Sequence, residues 1–225
     1  MPRTKRIVIP DVPHHITQRG NNRQDVFFVD DDREVYLELV KKLAAREGLE
    51  ILGYCLMTNH VHLVATPKAE QSLARALGRA HFLYTQYVNR MHWRSGHLWQ
   101  NRFHSCGLGA RHFWMAMRYL EQNPVRARLV REAWKYPWSS AAVHCGEEER
   151  RGLLDAAAWR KRIAPADWQQ ELARRLEEVE ISRLRGNTLT GRPLGSDSFV
   201  SKLEVMLGRR LRPLPGGRPK GKRNK

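Results

Sequence analysis

Hydrophobic and polar positions change period several times along the first half of the chain, which indicates alternating strands and helices. Residues 14–19 predict a short strand, and glycine and asparagine turn residues follow it. Three acidic residues from Asp30 precede apolar positions at helical spacing, which predicts a helix that Gly48 ends. Two strand-like runs, 49–57 and 60–66, are separated by only two residues and therefore predict a β-hairpin with a tight turn.

The pattern after the hairpin completes a recognisable order of elements. Ser72 can cap a second helix that runs to about Arg90, and residues 97–108 predict a last strand. Residues 111–122 predict a third helix that ends at Asn123-Pro124, because the residue before a proline avoids the α region. The order strand, helix, strand, strand, helix, strand matches the split βαβ pattern. We therefore predict an α+β, ferredoxin-like fold, with an antiparallel sheet and helices packed on one face.

Composition divides the chain into three parts. Residues 1–145 predict the α+β domain, 146–190 a helical extension, and 191–225 a basic tail rich in Gly, Pro and Arg. Within the extension, 166–185 predicts one amphipathic helix that stops at Gly186. Its expected apolar face consists of Trp168, Leu172, Leu176 and Val179. The tail has one more short helical stretch, from Ser198 to Leu207.

Charge narrows the class of partner. The chain of 225 residues has a formal net charge of +17, which favours a polyanion, either nucleic acid or an anionic membrane surface. No apolar stretch is long enough to predict a transmembrane helix or a secretory leader. Three widely spaced cysteines indicate a reducing compartment. These features together predict a cytoplasmic nucleic-acid protein.

The sharpest chemical feature is the segment His60-Val61-His62 in the hairpin. Side chains at i and i+2 of a strand point to the same face, so both imidazoles project together and can converge on one cation. Val61 and Leu63, on the opposite face, should pack under a helix. Taken alone, such a pair is more often simply two partly exposed histidines on a sheet.

Tyr119 is the best candidate for a reactive phenol. The apolar stripe of its helix is formed by Phe113, Trp114, Met117 and Leu120. At about 100° per residue, Tyr119 falls roughly 150° from the centre of this stripe, so we expect it outside the core. Tyr84 and Tyr87 fall inside the stripe of their own helix and should be core residues. Asn123 lies one turn after Tyr119, on the same face.

Aromatic and basic residues alternate closely between Tyr87 and Arg111. Bases stack on aromatic rings while arginine and lysine follow phosphates, so this mixture suits single-stranded nucleic acid. A partly buried aromatic cluster with solvated arginines is an equally good interpretation.

Several segments together resemble the REP-associated tyrosine transposases, a family of single-tyrosine transposases related to insertion sequences. His60-Val61-His62 looks like their HUH motif (histidine, hydrophobe, histidine), and residues 119–126 look like their nucleophile helix. Further segments fit the same family in the right order and cover nearly the whole chain: 17–23, 96–103, 136–140 and 190–195.

The resemblance implies metal-dependent cleavage and rejoining of single-stranded DNA at palindromic repeat hairpins, through a 5′-phosphotyrosine intermediate. It implies Tyr119 as the nucleophile, His60 and His62 as ligands of Mg²⁺ or Mn²⁺, and Asn123 as the third ligand. Relatives in insertion sequences have glutamine at that third position. The residues expected to contact DNA are Arg19, Arg23, Trp99, Arg102, Arg126, Arg218 and Lys220. We expect a monomer that acts at the nucleoid, with no membrane partner.

Two other functions remain open at this point. One is a DNA-hairpin binding protein that does not cut, against which the intact His60, His62 and Tyr119 argue. The other is an RNA-binding ferredoxin-like module, which would place aromatic residues on the sheet surface where this chain has its two histidines.

The tail offers two interpretations as well. The segment Gly217-Arg218-Pro219-Lys220 resembles the core of an AT-hook, in which arginine enters a narrow minor groove. Alternatively, a disordered tail adds only phosphate contacts that do not depend on sequence. Both interpretations predict that the tail tethers the protein to DNA.

Overall fold

A four-stranded antiparallel sheet with the strand order β2-β3-β1-β4 organises the protein. The structure is a computed structural model that describes residues 6–213. The strands are β1 (His14–Arg19), β2 (Leu49–Met57), β3 (His60–Pro67) and β4 (His104–Gly107). The helices are α1 (Asp30–Arg46), α2 (Ser72–Met91), α3 (Ala110–Glu121), α4 (Asn123–Arg126), α5 (Ala141–His144), α6 (Ala156–Arg162), α7 (Pro165–Ala173), α8 (Glu178–Thr190) and α9 (Asp197–Leu207). The predicted α+β class and the order of the first seven elements are confirmed.

One face of the sheet packs against α1 and α2, as the alternation of the strands predicts. Ile16 of β1 and Val61 and Leu63 of β3 are fully buried there. Tyr36 of α1 and Tyr84 of α2 meet beneath the sheet, with ring centroids 5.2 Å apart. This layer is the ferredoxin-like core, and it leaves the side chains of the opposite face for other elements.

The opposite face is partly covered by α3 and by the extension. Cys55 and Val64 of the sheet share a buried cluster with Trp168 of α7 and Leu184 of α8. Helices α6, α7 and α8 therefore share a core with the sheet, whereas Leu203 of α9 packs with Ile9 and Leu211 in a separate small cluster. The shared core brings α8 close to β1 and β4, which matters for the site described below. None of the helices within residues 6–213 is long and apolar enough to cross a membrane.

The last strand is shorter than the prediction of 97–108. Only β4 joins the sheet along its length, while Trp99 makes an isolated bridge to Gly20. Leu98 and Phe103 both turn into the core between the sheet and α2, so the alternation of a regular strand is lost before His104.

The helix containing Tyr119 ends at Glu121, one residue before the predicted bound of 122, although Asn123, the residue before the proline, is itself helical. After a break at Gln122 the chain continues in α4, in which Pro124 occupies the first turn. Proline is tolerated there because the first N–H groups of a helix have no intrahelical partner.

The single helix predicted over 166–185 is in fact two, α7 and α8. The chain is extended at Arg174, whose carbonyl accepts hydrogen bonds from Arg118 Nη2 and Gln122 Nε2. Trp168, Leu172 and Leu176 are buried as expected. Val179 is 66% exposed and so does not belong to that apolar face. Gly186 lies inside α8, and the helix ends instead at Gly191, which adopts a left-handed conformation with φ 74°.

Candidate active site

The face of the sheet opposite α1 and α2 carries four imidazoles, those of His15, His60, His62 and His104. Thr17 pairs with His62 and Arg19 with His60, so the odd-numbered side chains of β1 share a face with the two histidines of β3. The rings of His60 and His62 lie with centroids 5.0 Å apart. The ring of His15 lies nearly parallel to that of His62, with an interplanar angle of 18° and centroids 5.3 Å apart. The two histidines of the motif thus project together, as predicted, and His15 joins them as a residue that we did not predict.

Hydrogen bonds engage the same ring nitrogen in both histidines of the motif. His60 Nδ1 lies 2.6 Å from Asn59 Oδ1, which can only accept there, so Nδ1 carries the proton. His62 Nδ1 lies 3.1 Å from His15 Nε2. Among residues 6–213, no group is hydrogen-bonded to Nε2 of either ring. Both Nε2 atoms are therefore available to a cation.

Electrostatics keep these imidazoles neutral. Burial, followed by the positive charge of Arg19, lowers the pKa of His60 to about 4. Burial and then the neighbouring His60 hold the pKa of His62 well below its usual value. Neutral imidazole is the form that binds metal.

Tyr119 projects from α3 toward the histidines. Its ring meets His62 edge-on at a centroid distance of 5.4 Å, and His15 at 5.8 Å. The prediction that Tyr119 lies outside the core is wrong in terms of burial, because the side chain is only 3% exposed. The helical stripe placed it correctly away from Leu120 and Met117, but α8 covers that side of α3. The angular argument could not include a helix from the extension.

Two arginines border the phenol. The Arg126 guanidinium lies 4.2 Å from the centre of the Tyr119 ring, and its Nη1 donates to the Tyr119 carbonyl at 3.2 Å. Arg185 Nε, from α8, donates to Tyr119 Oη at 3.1 Å. Burial lowers the pKa of Arg126, and the charge of Arg185 lowers it further. Positive charge is thus concentrated at the phenol oxygen and ring of Tyr119.

Asn123 lies near this group but is otherwise engaged. Its Oδ1 accepts from Arg126 Nη2 at 2.6 Å, and its Nδ2 donates to the Leu120 carbonyl at 3.2 Å. Within the described part of the chain, no three residues among His, Cys, Asp and Glu are grouped so that they could hold a metal ion. The free Nε2 atoms of His60 and His62 could supply two ligands to a divalent ion, whereas Asn123 could supply a third only if its oxygen left Arg126.

A cavity of about 250 Å³ opens beside His62 and Tyr119. It is lined by His62, Tyr119, Arg185, Arg19 and Arg102, among others. A larger cleft of about 460 Å³ continues from it and shares Arg102 and His104.

The cleft is basic. Arg6, Arg102, Arg192 and Arg209 line it, and none of them has a salt bridge to another residue within 6–213. Burial and the nearby charge of Arg102 lower the pKa of Arg6 to about 10. A phosphate group in this cleft would relieve the repulsion between the arginines.

The other residues expected to contact DNA lie in different places. Arg19 and Arg23 are exposed beside the histidine pair, and the Arg23 carbonyl accepts from Asn59 Nδ2. The Trp99 ring packs instead against His81 and Tyr84, and its Nε1 donates to the His81 carbonyl. Arg218 and Lys220 lie outside the described residues.

The segment between Tyr87 and Arg111 contains both a partly buried aromatic cluster and exposed aromatic and basic groups, so each interpretation of it holds for a part. Trp99 and Phe103 belong to the partly or fully buried cluster. Trp93, by contrast, is 96% exposed. Its neighbour Arg94 lies over the half-exposed Phe28 ring, at 5.1 Å from the centroid. This end of the segment presents aromatic and basic groups to solvent, as stacking on a single strand requires.

Comparison with known proteins places the chain in a family and identifies structures of similar fold. The family model described as "Transposase IS200 like" matches residues 9–123, just over half of the chain. A solved structure of a REP-associated tyrosine transposase bound to a REP hairpin is similar, with a TM-score of 0.54 and 18% identity. That match covers 69% of this chain and 90% of the other, and at this identity it concerns the fold. A candidate transposase from Deinococcus radiodurans R1 aligns with a TM-score of 0.38 and 19% identity, over 54% of this chain and 97% of the other. No curated protein matches the sequence.

Proposed function

The chain belongs to the IS200-like transposase family, and we propose that it cleaves and rejoins single-stranded DNA with Tyr119 as the nucleophile. One observation carries the proposal: the phenol of Tyr119, the imidazole of His62 and the guanidinium of Arg185 line the same cavity. These side chains meet within a single copy of the chain, and we propose that Tyr119 acts in cis in a monomer.

The proposed reaction is an in-line displacement at phosphorus. Tyr119 Oη forms a bond to the phosphorus while the bond from phosphorus to the 3′ oxygen breaks. The phenolic proton is lost to solvent and the leaving 3′ oxygen gains one, so the products are a 5′-phosphotyrosine and a 3′-OH. The covalent link retains the energy of the phosphoester, so a 3′-OH can reverse the step without ATP.

Arginine side chains supply the electrostatic part of this step. Arg185 donates to Tyr119 Oη, so it stabilises the oxygen as it loses its proton and again when it departs during rejoining. Arg126 lies over the ring and adds a second positive charge. Donors that are already in place stabilise developing charge without reorganisation.

We further propose that Mg²⁺ or Mn²⁺ is held by Nε2 of His60 and His62. Such an ion, when bound, neutralises a non-bridging phosphate oxygen and so favours attack on the phosphorus. Both imidazoles are neutral and have Nδ1 already engaged, which suits this role. Asn123 is the proposed third ligand, from an oxygen that now accepts from Arg126.

We propose DNA hairpins with a single-stranded flank as the substrate class. The basic cleft beside the cavity suits the phosphates of a flanking strand, since Arg6, Arg102, Arg192 and Arg209 have no acidic partner within residues 6–213. Exposed Trp93 suits an unstacked base. The similar solved structure is of a protein bound to a REP hairpin, which supports palindromic repeats of this kind as the target. We expect the protein to act at the nucleoid, where such repeats lie.

Covalent capture tests the proposal. A labelled hairpin with a 5′ single-stranded flank is incubated with the protein and Mn²⁺, and denaturing electrophoresis detects a protein–DNA adduct. We expect an adduct with the native chain and none with Tyr119→Phe, while hairpin binding is nearly unchanged. Tyr87→Phe, which removes a phenol from α2, is the matched control and should retain the adduct.

Other outcomes have defined meanings. Tight hairpin binding without an adduct at any metal concentration would favour a non-cleaving hairpin-binding protein. An adduct that persists in Tyr119→Phe would overturn the assignment of the nucleophile. Preference for an RNA hairpin of the same sequence would favour an RNA-binding module.

A further inference from the structure

Helix α8 reaches the histidine pair through a continuous row of buried hydrogen bonds. Thr188, near the end of α8, is only 1% exposed. Its Oγ1 lies 2.8 Å from His15 Nδ1, and His15 Nε2 lies 3.1 Å from His62 Nδ1. This row begins on a helix outside the segment 9–123 that the family model matches. It ends on a proposed metal ligand.

The hydroxyl of Thr188 determines which atom donates in each hydrogen bond of the row. Thr188 Oγ1 donates its only hydrogen to the Leu184 carbonyl, 2.8 Å away and one helical turn earlier. The hydroxyl can therefore only accept from His15, so the proton of His15 is on Nδ1. Cys106 Sγ, 3.3 Å from the same hydroxyl, must also act as donor.

The tautomer of His62 follows from that of His15. Because His15 has its proton on Nδ1, its Nε2 can only accept, and His62 must donate from Nδ1. His62 Nε2 is then without a proton and presents a lone pair. Without an acceptor at Nδ1, the proton of a neutral imidazole can sit on Nε2, where it blocks coordination.

The tautomers of the two histidines of the motif are fixed by different parts of the chain. The tautomer of His60 is fixed by a hydrogen bond to Asn59, its neighbour in the sequence. His62 depends on a contact with α8, which is more than a hundred residues away along the chain. The hairpin therefore supplies one ligand by itself, and the second ligand is prepared only when the extension is packed against β1.

We propose that Thr188 and His15 are positioning residues that hold His62 in the Nδ1–H tautomer required to bind a divalent ion. This inference rests on the proposed metal-dependent function. It assigns a role in the site to α8, and it explains why a buried threonine of this helix contacts a buried histidine of β1.

Nuclear magnetic resonance tests the tautomer without any metal. Long-range ¹H–¹⁵N spectra of the metal-free protein distinguish protonation at Nδ1 from protonation at Nε2. We expect the Nδ1–H form for both His15 and His62 in the native chain. Thr188→Val keeps the shape but removes the hydroxyl, and we expect His62 to become a mixture of tautomers. Thr188→Ser should retain the native spectrum.

Titration with Mn²⁺, followed by electron paramagnetic resonance, tests the consequence. Loss of an outer partner of a metal-bound histidine weakens affinity by about 10- to 100-fold. We expect this loss in His15→Phe, which keeps a ring but removes the acceptor, and in Thr188→Val. His15→Gln places an amide oxygen near the position of Nε2 and should restore part of the affinity, and Thr188→Ser most of it. Circular dichroism melting identifies any variant that fails to fold. If His15→Phe fails to fold, Thr188→Val still tests the inference.

The outcomes separate this inference from the function on which it rests. An Nε2–H tautomer for His62 in the native chain would overturn the inference whatever the metal does. Native Mn²⁺ affinity in both folded His15→Phe and Thr188→Val would overturn it while leaving the metal site intact. If Mn²⁺ binding does not depend on His60 or His62 at all, the proposed metal site is wrong, and the positioning role is overturned with it.

Discussion

Arg185 is the side chain with the most direct contact to the proposed nucleophile, since its Nε donates to Tyr119 Oη at 3.1 Å. We predict that Arg185→Gln slows adduct formation by about 100-fold, as the loss of one pre-positioned donor does at other charged transition states. Arg185→Lys should be intermediate, because lysine keeps the charge but lacks the planar donor group. Single-turnover capture at saturating hairpin measures the rate.

Arg183 provides the matched control for this prediction. It lies on the same helix, is exposed, and lines a different cavity with Arg111. Arg183→Gln removes one charge from α8 without touching the phenol, so the capture rate should stay within about twofold of native. Equal losses in the two variants would mean that general charge, and not the contact to Tyr119, supports the reaction.

The proposed metal ligands differ in how much each should matter. We predict that His60→Ala and His62→Ala each abolish cleavage supported by Mg²⁺ or Mn²⁺, because each removes a free Nε2. Asn123→Ala should weaken cleavage less, since its oxygen already accepts from Arg126. Capture assays across a metal titration measure all three. His97→Ala, at an exposed position, serves as the control. Undiminished activity in excess chelator would contradict the metal role.

The parts of the candidate site that depend on residues close together in the sequence could be predicted from the sequence. The spacing of His60 and His62 was sufficient because a strand places i and i+2 on one face. Arg185 and Thr188 could not be predicted in the same way, since their contacts depend on how the extension packs. The only signal in the sequence was that the segment 190–195 fits the transposase family.

Helices α1 and α2 are joined beneath the sheet by a buried hydrogen bond between Tyr36 Oη and His81 Nε2, 3.0 Å long. Burial lowers the pKa of His81 to about 3. His14, in β1, is also buried; its Nδ1 donates to the Val12 carbonyl and its Nε2 accepts from the Ile9 amide. Burial lowers the pKa of His14 to about 4, against the opposing effect of the bond to Val12. Both imidazoles are neutral in the folded protein.

These histidines predict a loss of stability in mild acid. Each folded-state pKa lies below the unfolded value of about 6.5, so below that pH the unfolded chain binds more protons. The free energy of unfolding should therefore fall as the pH drops from about 7, by about 2 kcal/mol per histidine at pH 5, and level off near the folded values. Urea denaturation at a series of pH values measures the slope.

A variant assigns this slope to a particular histidine. His81→Phe removes one titrating group while keeping a ring between α1 and α2. It should reduce the dependence of unfolding free energy on pH by about one proton, whatever it does to stability at neutral pH. An unchanged slope in this variant would show that His81 does not contribute to acid destabilisation.

The elements themselves were predictable wherever the chain follows one period. β1, β2, β3 and the two helices of the ferredoxin-like layer have regular patterns and appear at nearly the predicted bounds. The prediction failed where a tertiary contact replaces a regular hydrogen bond. The Arg174 carbonyl, which accepts from Arg118 and Gln122, divides α7 from α8. No sequence period encodes such a contact.

For the whole molecule, the distribution of positive charge connects the site with the end of the chain. The basic cleft includes Arg209, Arg210 and Arg212, which lie shortly before residues 214–225. Arg212 is anchored by ion pairs to Glu204 and Asp197 of α9. Leu211 is buried against Ile9 and Leu203. The chain is thus fixed up to this point, beside the cleft that we assign to the flanking strand.

The tether hypothesis for the tail can therefore be tested by truncation after Pro213. This leaves Leu211 and Arg212 in place and removes five basic residues, with Arg218 and Lys220 among them. We predict weaker hairpin binding and a shallower slope of log affinity against log salt, by about 0.7 to 0.9 per lost phosphate contact. Fluorescence anisotropy from low to moderate salt measures both. At saturating DNA the truncated chain should form the Tyr119 adduct at the native rate, because the cavity and its three arginines are retained. A second truncation, after Leu207, also removes Arg209 and Arg212 from the cleft and should reduce the slope further. If neither truncation changes the slope, the tail does not tether the protein to DNA.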